Sequence, residues 1–275
     1  MFRNARAVTR VKIAMLSKLG RAAPTIIYPG AGIFFWWQAG AISELGRRFD
    51  LHGGNVHAVG ASAGALSAAL GACAVDMDRA YDVAFGLCEE SNVFDRGPWG
   101  LYGVWGPIIR TWLDELLPVD AADVCRGRVA VAVTAVPRLR QPTFERVLLD
   151  DYRDRADLID ALCASVHVPI FLDRQWTASL RGERYVDGSL ADAVRGAAHA
   201  NGYQRLAPLD ARSPSLLLNY RDDERMRTTF SRTEDFLRLA SPAGVVQMKE
   251  WGAEHVRAMD EEGRLAVLEG VRLGS

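Results

Sequence analysis

Two long apolar stretches dominate the hydrophobic pattern of the N-terminal third of the chain. Residues 22–43 and 53–75 contain no aspartate, glutamate, lysine or arginine, and each is long enough to cross a membrane. Their centres do not suit a membrane helix, because Pro29 and Gly30 interrupt the first stretch and Gly64 interrupts the second. We therefore predict, twice in succession, a short buried strand, a glycine turn and a helix.

The predicted strands cover residues 25–28 and 56–59, which are largely apolar on both faces. The helices begin near Phe34 and Ala63, and the first ends at Gly46, a residue type that commonly follows the last helical turn. Strands that are apolar on both faces and alternate with helices predict a mainly parallel sheet that is covered on both sides.

The rest of the chain continues this alternation. Asp154 is placed to cap a helix that ends before Pro169, and the sequence from about residue 232 onward has mostly the pattern of an amphipathic helix. Further strands are predicted within residues 128–136, 144–149, 183–188 and 215–220. One α/β domain over residues 23–275, a three-layer α/β/α sandwich, accounts for all of these elements.

The first 22 residues are predicted to lie outside this domain. No acidic residue occurs before Glu44, whereas six arginines and lysines fall within residues 3–21. This composition fits three interpretations equally well: an organelle-targeting leader, a segment that touches anionic lipid, and a short basic surface tail.

Bulk composition excludes several classes of protein. The 275 residues are 49% hydrophobic with a formal net charge of -1, so we expect neither disorder nor general electrostatic binding of nucleic acid. The four cysteines are widely spaced and form no CxxC pair. This spacing argues against a disulfide framework or a zinc site and fits a reducing compartment.

The sequence GASAG at residues 60–64 matches G-x-S-x-G, the sharp strand-to-helix turn that lifts a nucleophile above a sheet. Gly60 and Gly64 satisfy its steric requirement, because neighbouring backbone approaches both positions closely. Ser62 would stand at a helix N-terminus, where developing negative charge is stabilised. The alternative is an ordinary helix-capping serine.

The sequence PGAGIF at residues 29–34 predicts a second glycine turn, whose backbone amides could form an anion-binding nest. A dinucleotide-binding loop is disfavoured, because Phe35 stands where its last glycine would be required. A glycine turn that merely permits close packing remains the alternative.

The base that would activate Ser62 is less evident. Asp187 ends an apolar strand at a glycine turn, where catalytic groups of open α/β sheets belong, although an Asp-Gly turn is also common without any such role. The histidines carry no comparable signal; they are His52, His57, His167, His199 and His255.

The densest aromatic stretch, residues 93–118, contains Trp99, Trp105 and Trp112. Amphipathic aromatic side chains suit a membrane interface or a flap over an acyl groove. A core-packing helix with turns is the alternative.

Four motifs in order carry a family resemblance: PGAGIFFWWQAGAISEL, GASAGAL, VPIF and RGERYVDGSLAD. Together they resemble the patatin-like phospholipases, in particular the branch that includes animal acylglycerol lipases. The resemblance covers about residues 25–192, which is most of the domain.

The resemblance implies a Ser–Asp dyad without a catalytic histidine, with Ser62 as the nucleophile and Asp187 as the general base. It also implies hydrolysis, or sometimes transfer, of the fatty acyl chains of glycerolipid esters without a metal or other cofactor. The residues that match the oxyanion loop of the family are Gly30, Ala31, Gly32 and Ile33.

The chain departs from the family pattern at two positions. Phe35 occupies the place of the third glycine in the oxyanion loop, and Ser189 follows Asp-Gly where the family has another glycine. Neither departure removes a reacting group.

We therefore expect an intracellular serine acyl hydrolase that acts on lipid esters at the surface of a membrane or lipid droplet, with no transmembrane span and no nucleic-acid partner. Three alternatives stay open: a lipid-binding pseudoenzyme of the same fold, an α/β hydrolase with a Ser–Asp–His triad, and a nucleotide binder that uses the glycine loop.

Overall fold

A computed structural model describes residues 23–52, 54–138, 142–191 and 212–274. The predicted leader and His199 lie outside these residues. The strands are β1 Thr25–Tyr28, β2 His57–Ala61, β3 Val129–Ala135, β4 Glu145–Leu149, β5 Ala178–Leu180, β6 Glu183–Val186 and β7 Ser215–Leu217. The α-helices of this part of the chain are α1 Phe35–Arg48, α2 Ala63–Ala72, α3 Met77–Glu90, α4 Trp105–Leu116, α5 Ala121–Cys125, α6 Arg155–Ser165, α7 Glu224–Thr229 and α8 Pro242–Glu261.

The strands form one mixed sheet. β7, β1, β2 and β3 are parallel neighbours in that order, whereas β4 and β6 each pair antiparallel with β3, and β5 pairs antiparallel with β6. Every residue of β1, β2 and β3 is buried, so these strands are covered by helices on both faces. The predicted three-layer α/β/α fold is thereby confirmed, with an antiparallel part added to the parallel centre.

Two strands meet end to end along one edge of β3. β4 pairs with Val131–Ala135, β2 pairs as far as Ala132, and β6 pairs with Thr134 and the residue after it. Because a strand has only two edges and β4 occupies one of them, β2 and β6 share the other. β2 runs parallel to β3 and β6 runs against it, so their carboxyl ends face each other. The residues that follow these ends are Ser62 and Asp187.

Helix α1 lies against α8, and glycine makes their close approach feasible. A β carbon at Gly40 would lie 1.9 Å from the carbonyl oxygen of Lys249, and one at Gly252 would lie 1.9 Å from that of Trp37. The indole nitrogen of Trp37 also donates to Asp223, 3.0 Å away, at the start of α7. The C-terminal helices thus hold α1, and with it the loop that enters α1.

The predicted element boundaries agree with the structure in most places. β1 has the predicted limits, and Asp154 caps α6 by accepting the N–H of Asp157 at 2.9 Å. β2 begins one residue later than predicted and continues to Ala61, so that it reaches the serine turn.

The predicted end of the first helix at Gly46 is wrong. α1 continues through Gly46 to Arg48 and stops only where Phe49 turns extended. A glycine ends a helix when it takes a left-handed conformation, and Gly46 is not among the residues with positive φ. In the described residues, no helix is both long enough and apolar enough to cross a membrane.

Candidate active site

Ser62 occupies a strained turn between β2 and α2. Its φ of 54° and ψ of -134° are rare for a residue with a side chain. A β carbon at Gly60 would lie 2.1 Å from the carbonyl oxygen of Gly64, and one at Gly64 would lie 2.1 Å from that of Tyr28. Both positions therefore require glycine because a side chain would overlap neighbouring backbone.

Ser165, at the end of α6, holds this turn in place. Its hydroxyl accepts the backbone N–H of Ser62 at 2.9 Å and donates to the carbonyl of Ala132 at 2.6 Å, while its own carbonyl accepts the N–H of Gly188 at 2.8 Å. One buried serine thus links the elbow, β3 and the loop after β6. Sequence reasoning missed Ser165, and the only signal for it was a polar residue three positions before the VPIF motif.

Asp187 is buried in the loop that follows β6, with 6% of its surface exposed. Its N–H donates to the carbonyl of His167 at 2.8 Å, and its Oδ1 accepts the N–H of Ser189 at 2.8 Å. A β carbon at Gly188 would lie 2.0 Å from the carbonyl oxygen of Ala132. Only glycine therefore allows this turn to approach β3.

Burial raises the pKa of Asp187 to about 6 because the carboxylate loses its hydration. The Ser62 hydroxyl and the N–H and hydroxyl of Ser189 oppose this rise. The Ser62 hydroxyl is close enough to exert this effect, yet Asp187 Oδ2 has no partner with good hydrogen-bond geometry among the described residues. The fold therefore brings the Ser62 and Asp187 side chains together, with the Ser189 hydroxyl also close to the carboxylate.

The glycine loop passes beside the same serine. A β carbon at Gly30 would lie 2.2 Å from Ser189 Oγ and 3.3 Å from Ser62 Cβ, so both serines contact Gly30. Gly32, at a φ of 51°, begins a short 3-10 turn whose first hydrogen bond runs from Phe34 N–H to the carbonyl of Ala31.

The amides at the start of that 3-10 turn are the candidate anion donors. Those of Gly32 and Ile33 precede its first hydrogen bond and have no partner in the turn. Gly32 and Ile33 line the same pocket as Ser62, whereas Gly30 and Ala31 do not belong to its lining. Of the four predicted oxyanion residues, Gly32 and Ile33 are thus the two that line the pocket.

Phe35, which replaces a glycine of the family pattern, forms part of the pocket wall. Its ring packs edge-on against Trp36 at 5.1 Å and Trp112 at 5.5 Å between centroids. The side chain therefore packs into a cluster of aromatic rings.

The pocket beside Ser62 has a volume of about 970 Å3, including its open mouth. Apart from Ser62, the side chains with polar atoms in its lining are Tyr81, Cys88 and the indoles. The remaining lining is apolar, with Leu66 and Ile108 among it. Such a wall suits an alkyl chain.

No histidine of the described residues lines this pocket. The ring of His167 instead contacts the loop after α6: Nε2 lies 3.2 Å from the carbonyl oxygen of Gln175, and Nδ1 lies 3.9 Å from Asp173. His255 packs on Trp37, with ring centroids 5.2 Å apart. Burial lowers the pKa of both histidines. The same part of the chain contains no cluster of histidine, cysteine and acidic residues suited to a metal ion.

The three tryptophans of residues 93–118 have different surroundings. Trp112 is buried and donates its indole N–H to the carbonyl of Ala80 at 2.7 Å, and Trp105 lines the pocket. Trp99 is 48% exposed. Trp176, which sequence reasoning did not single out, is 72% exposed.

The family model Patatin, described as patatin-like phospholipase, matches residues 28–195. The chain belongs to the patatin-like phospholipase family. The match includes the glycine loop, the serine elbow and the Asp-Gly turn, so the patatin-like region contains every residue of the candidate site.

Curated relatives in this family carry names of several activities. An omega-hydroxyceramide transacylase of Mus musculus is 32% identical over 60% of this chain and 26% of its own length. A 1-acylglycerol-3-phosphate O-acyltransferase of Mus musculus is 31% identical over 49% of this chain and 31% of its own length. Patatin-like phospholipase domain-containing protein 2 of Homo sapiens is 29% identical over 61% of this chain and 32% of its own length. The chain thus matches about a quarter to a third of the length of these relatives.

Proposed function

We propose that this patatin-like protein is a serine acyl hydrolase that cleaves fatty acyl esters of glycerolipids, with Ser62 as nucleophile and Asp187 as general base. One observation supports this most directly. A serine in a strained elbow opens on an apolar pocket while its side chain faces a buried carboxylate whose pKa is raised to about 6.

In the first half of the reaction, Asp187 takes the proton of the Ser62 hydroxyl as Oγ attacks the ester carbonyl carbon. The amides of Gly32 and Ile33 and the N-terminus of α2 stabilise the resulting oxyanion. Asp187 then gives its proton to the departing alcohol, and the acyl group stays on Ser62.

In the second half, Asp187 takes a proton from water as the water oxygen attacks the carbonyl carbon of the acyl-enzyme. Asp187 then returns this proton to Ser62 Oγ as the bond between Oγ and the acyl carbon breaks, which releases the fatty acid and restores the serine. If an alcohol occupies the position of water, the same steps transfer the acyl group instead. The transacylase and acyltransferase names among the relatives make both outcomes relevant to a substrate survey.

Burial makes an aspartate a more effective base in this setting. A carboxylate with its usual pKa of about 3.9 takes up a proton reluctantly at neutral pH. Asp187, with a pKa of about 6, lies closer to the range in which a general base is efficient. Desolvation also strengthens the interaction of the loop amides with the oxyanion.

The pocket chemistry favours a lipid over a nucleotide. Apolar side chains form most of the wall beside Ser62, which would bury an acyl chain and offers little to phosphate or a sugar. The exposed indole of Trp99 and the partly exposed ring of Tyr102 both pack against Phe171. We place a membrane or lipid-droplet surface against these aromatic side chains.

A fluorophosphonate probe tests the nucleophile. We expect it to label the wild-type protein and the control Ser179→Ala, which changes an exposed serine, but not Ser62→Ala. Labelling should coincide with release of fatty acid from short-chain p-nitrophenyl esters. Absence of both signals in folded protein would favour the lipid-binding pseudoenzyme.

The base is tested separately. Asp187→Asn should reduce turnover strongly while the fold is retained, whereas His199→Ala and His255→Ala should each leave most of the activity. An equal loss in either histidine variant would instead support a Ser–Asp–His triad.

The lipid-facing surface is tested by flotation with liposomes. Replacement of Trp99 by alanine should weaken binding, whereas the same change at the buried Trp112 should act through stability. Binding that survives replacement of Trp99, Trp105 and Trp112 together would contradict this placement.

A further inference from the structure

Gln38 is a polar side chain in the middle of an otherwise apolar core. It lies in the first turn of α1 with no exposed surface, between Trp37 and Ala39, which are also fully buried. Burying an amide is unfavourable unless its donor and acceptor both find partners. Both do here, so the partners indicate what the side chain is for.

The two partners lie on either side of the candidate site. Gln38 Nε2 donates to the carbonyl oxygen of Pro29 at 2.9 Å, at the entry to the glycine loop. Gln38 Oε1 accepts from the Ser67 hydroxyl at 2.7 Å, one turn beyond the elbow in α2. The amide therefore connects the loop that supplies the candidate oxyanion donors with the helix that carries the nucleophile.

The bond to Pro29 sets the direction of the loop. The carbonyl of Pro29 and the N–H of Gly30 belong to one planar trans peptide and point in opposite directions. Holding the carbonyl toward Gln38 fixes the plane of that peptide. It thereby restricts the path of the backbone into Gly32, which lines the pocket beside Ser62.

A second contact limits the loop from the other side. A β carbon at Gly64 would lie 2.5 Å from the carbonyl oxygen of Pro29, so the start of α2 presses against the same peptide. Contact alone restricts translation but leaves the tilt of the carbonyl free, whereas a hydrogen bond specifies its direction.

We infer that Gln38 is a positioning residue that holds the glycine loop in the orientation required to stabilise an oxyanion on the substrate of Ser62. This inference rests on the proposed function. It assigns Gln38 an effect on the transition state that packing alone would not produce.

The variant Gln38→Met keeps a similar length and removes both hydrogen bonds. Ser67→Ala removes only the hydroxyl that fixes Gln38 Oε1, so it is the milder change. Gln247→Met, at an exposed position of α8, is the matched control for the chemical substitution. Circular dichroism and thermal melting establish which variants are folded.

Four quantities are then measured: kcat and KM on a p-nitrophenyl ester, Ki of a trifluoromethyl ketone, and Kd of a free fatty acid. The ketone forms a hemiketal oxyanion on the serine, so its affinity reports the loop amides. The fatty acid reports the apolar pocket alone.

For Gln38→Met we expect kcat to fall about 10- to 100-fold, somewhat less than the loss from deleting a whole oxyanion donor. KM and the Kd of the fatty acid should stay within about twofold of the wild-type values. The Ki of the ketone should increase by the same factor by which kcat/KM decreases. Ser67→Ala should show the same pattern with about a threefold to tenfold effect. Gln247→Met should match the wild type.

The inference is overturned if folded Gln38→Met retains wild-type kcat, or if kcat falls while Ki of the ketone is unchanged. If Gln38→Met does not fold, the same criteria applied to Ser67→Ala decide the matter. A wild-type protein without activity would overturn the proposed function, whereas an active wild type with unaffected variants would overturn the role of Gln38 alone.

Discussion

The raised pKa of Asp187 predicts that this residue lowers the stability of the folded protein at neutral pH. The pKa increases from its ordinary value of 3.8 to about 6 on folding, so between these values the folded state binds more protons than the unfolded state. The free energy of unfolding therefore falls as pH rises through this window, and the cost is fully present above it. Asp187→Asn removes the charge and should remove the cost.

The size of the effect follows from the shift. A change of about two pKa units at a buried carboxylate corresponds to about 3 kcal/mol. With these values, the stability of Asp187→Asn relative to the wild type should increase by about 2.5 kcal/mol between pH 4 and pH 8. For a chain of this size, that difference corresponds to roughly 5–10 °C in Tm.

Urea unfolding of both proteins at pH 4, 6 and 8 measures the difference directly, because contributions from other titrating groups cancel between the two proteins. The exposed Asp120→Asn controls for the loss of one negative charge. A relative stability of Asp187→Asn that is constant or declines from pH 4 to pH 8 would refute the reasoning. Activity should be lost in the same variant, so that stability and turnover change in opposite directions.

Further predictions concern the surroundings of this carboxylate. kcat/KM should rise with pH through an apparent pKa of about 6 as Asp187 ionises, and Ser189→Gly should move this limb to higher pH because a hydroxyl that lowers the pKa is lost. Gly188→Ala should destabilise by at least about 1–3 kcal/mol in thermal melts and abolish activity, since its β carbon would overlap backbone. Gly46→Ala, in open space within α1, should stabilise by about 0.5–1 kcal/mol. Ser165→Ala should cost about 1–3 kcal/mol in urea unfolding and lower kcat more than KM, because the buried N–H of the nucleophile loses its partner.

Local pattern was sufficient to predict most of the sheet. The apolar run Thr25–Tyr28 and the capping residue Asp154 act through neighbours in sequence, and both predictions are confirmed. Gly46 shows where local rules fail. A glycine can end a helix, but whether it does depends on what the next turn packs against, and here Arg48 reaches both Glu44 and Asp260. The mixed character of the sheet depends in the same way on pairing partners distant in sequence.

From the sequence, only those residues of the candidate site could be predicted that stand in a recognisable local motif. Ser62 and Asp187 stand at glycine turns after apolar strands, which marks them without any knowledge of contacts. Ser165 and Gln38 act through partners elsewhere in the chain. Ser165 and its hydrogen-bond partner Ser62 are 103 positions apart in the sequence. Gln38 is the single amide side chain within residues 22–43, a signal that gains meaning only once its partners are seen.

A nascent chain completes β1, β2 and β3 long before β6 has left the ribosome. At that stage the residues of the serine turn have been synthesised, but Thr134 and Ala135 of β3 still lack β6 on the edge opposite β4. The proposed mechanism requires Asp187, which follows β6, so it predicts that catalytic competence arises only when β6 pairs with β3. The onset of ester cleavage during translation or refolding would then report the time at which β6 pairs with β3.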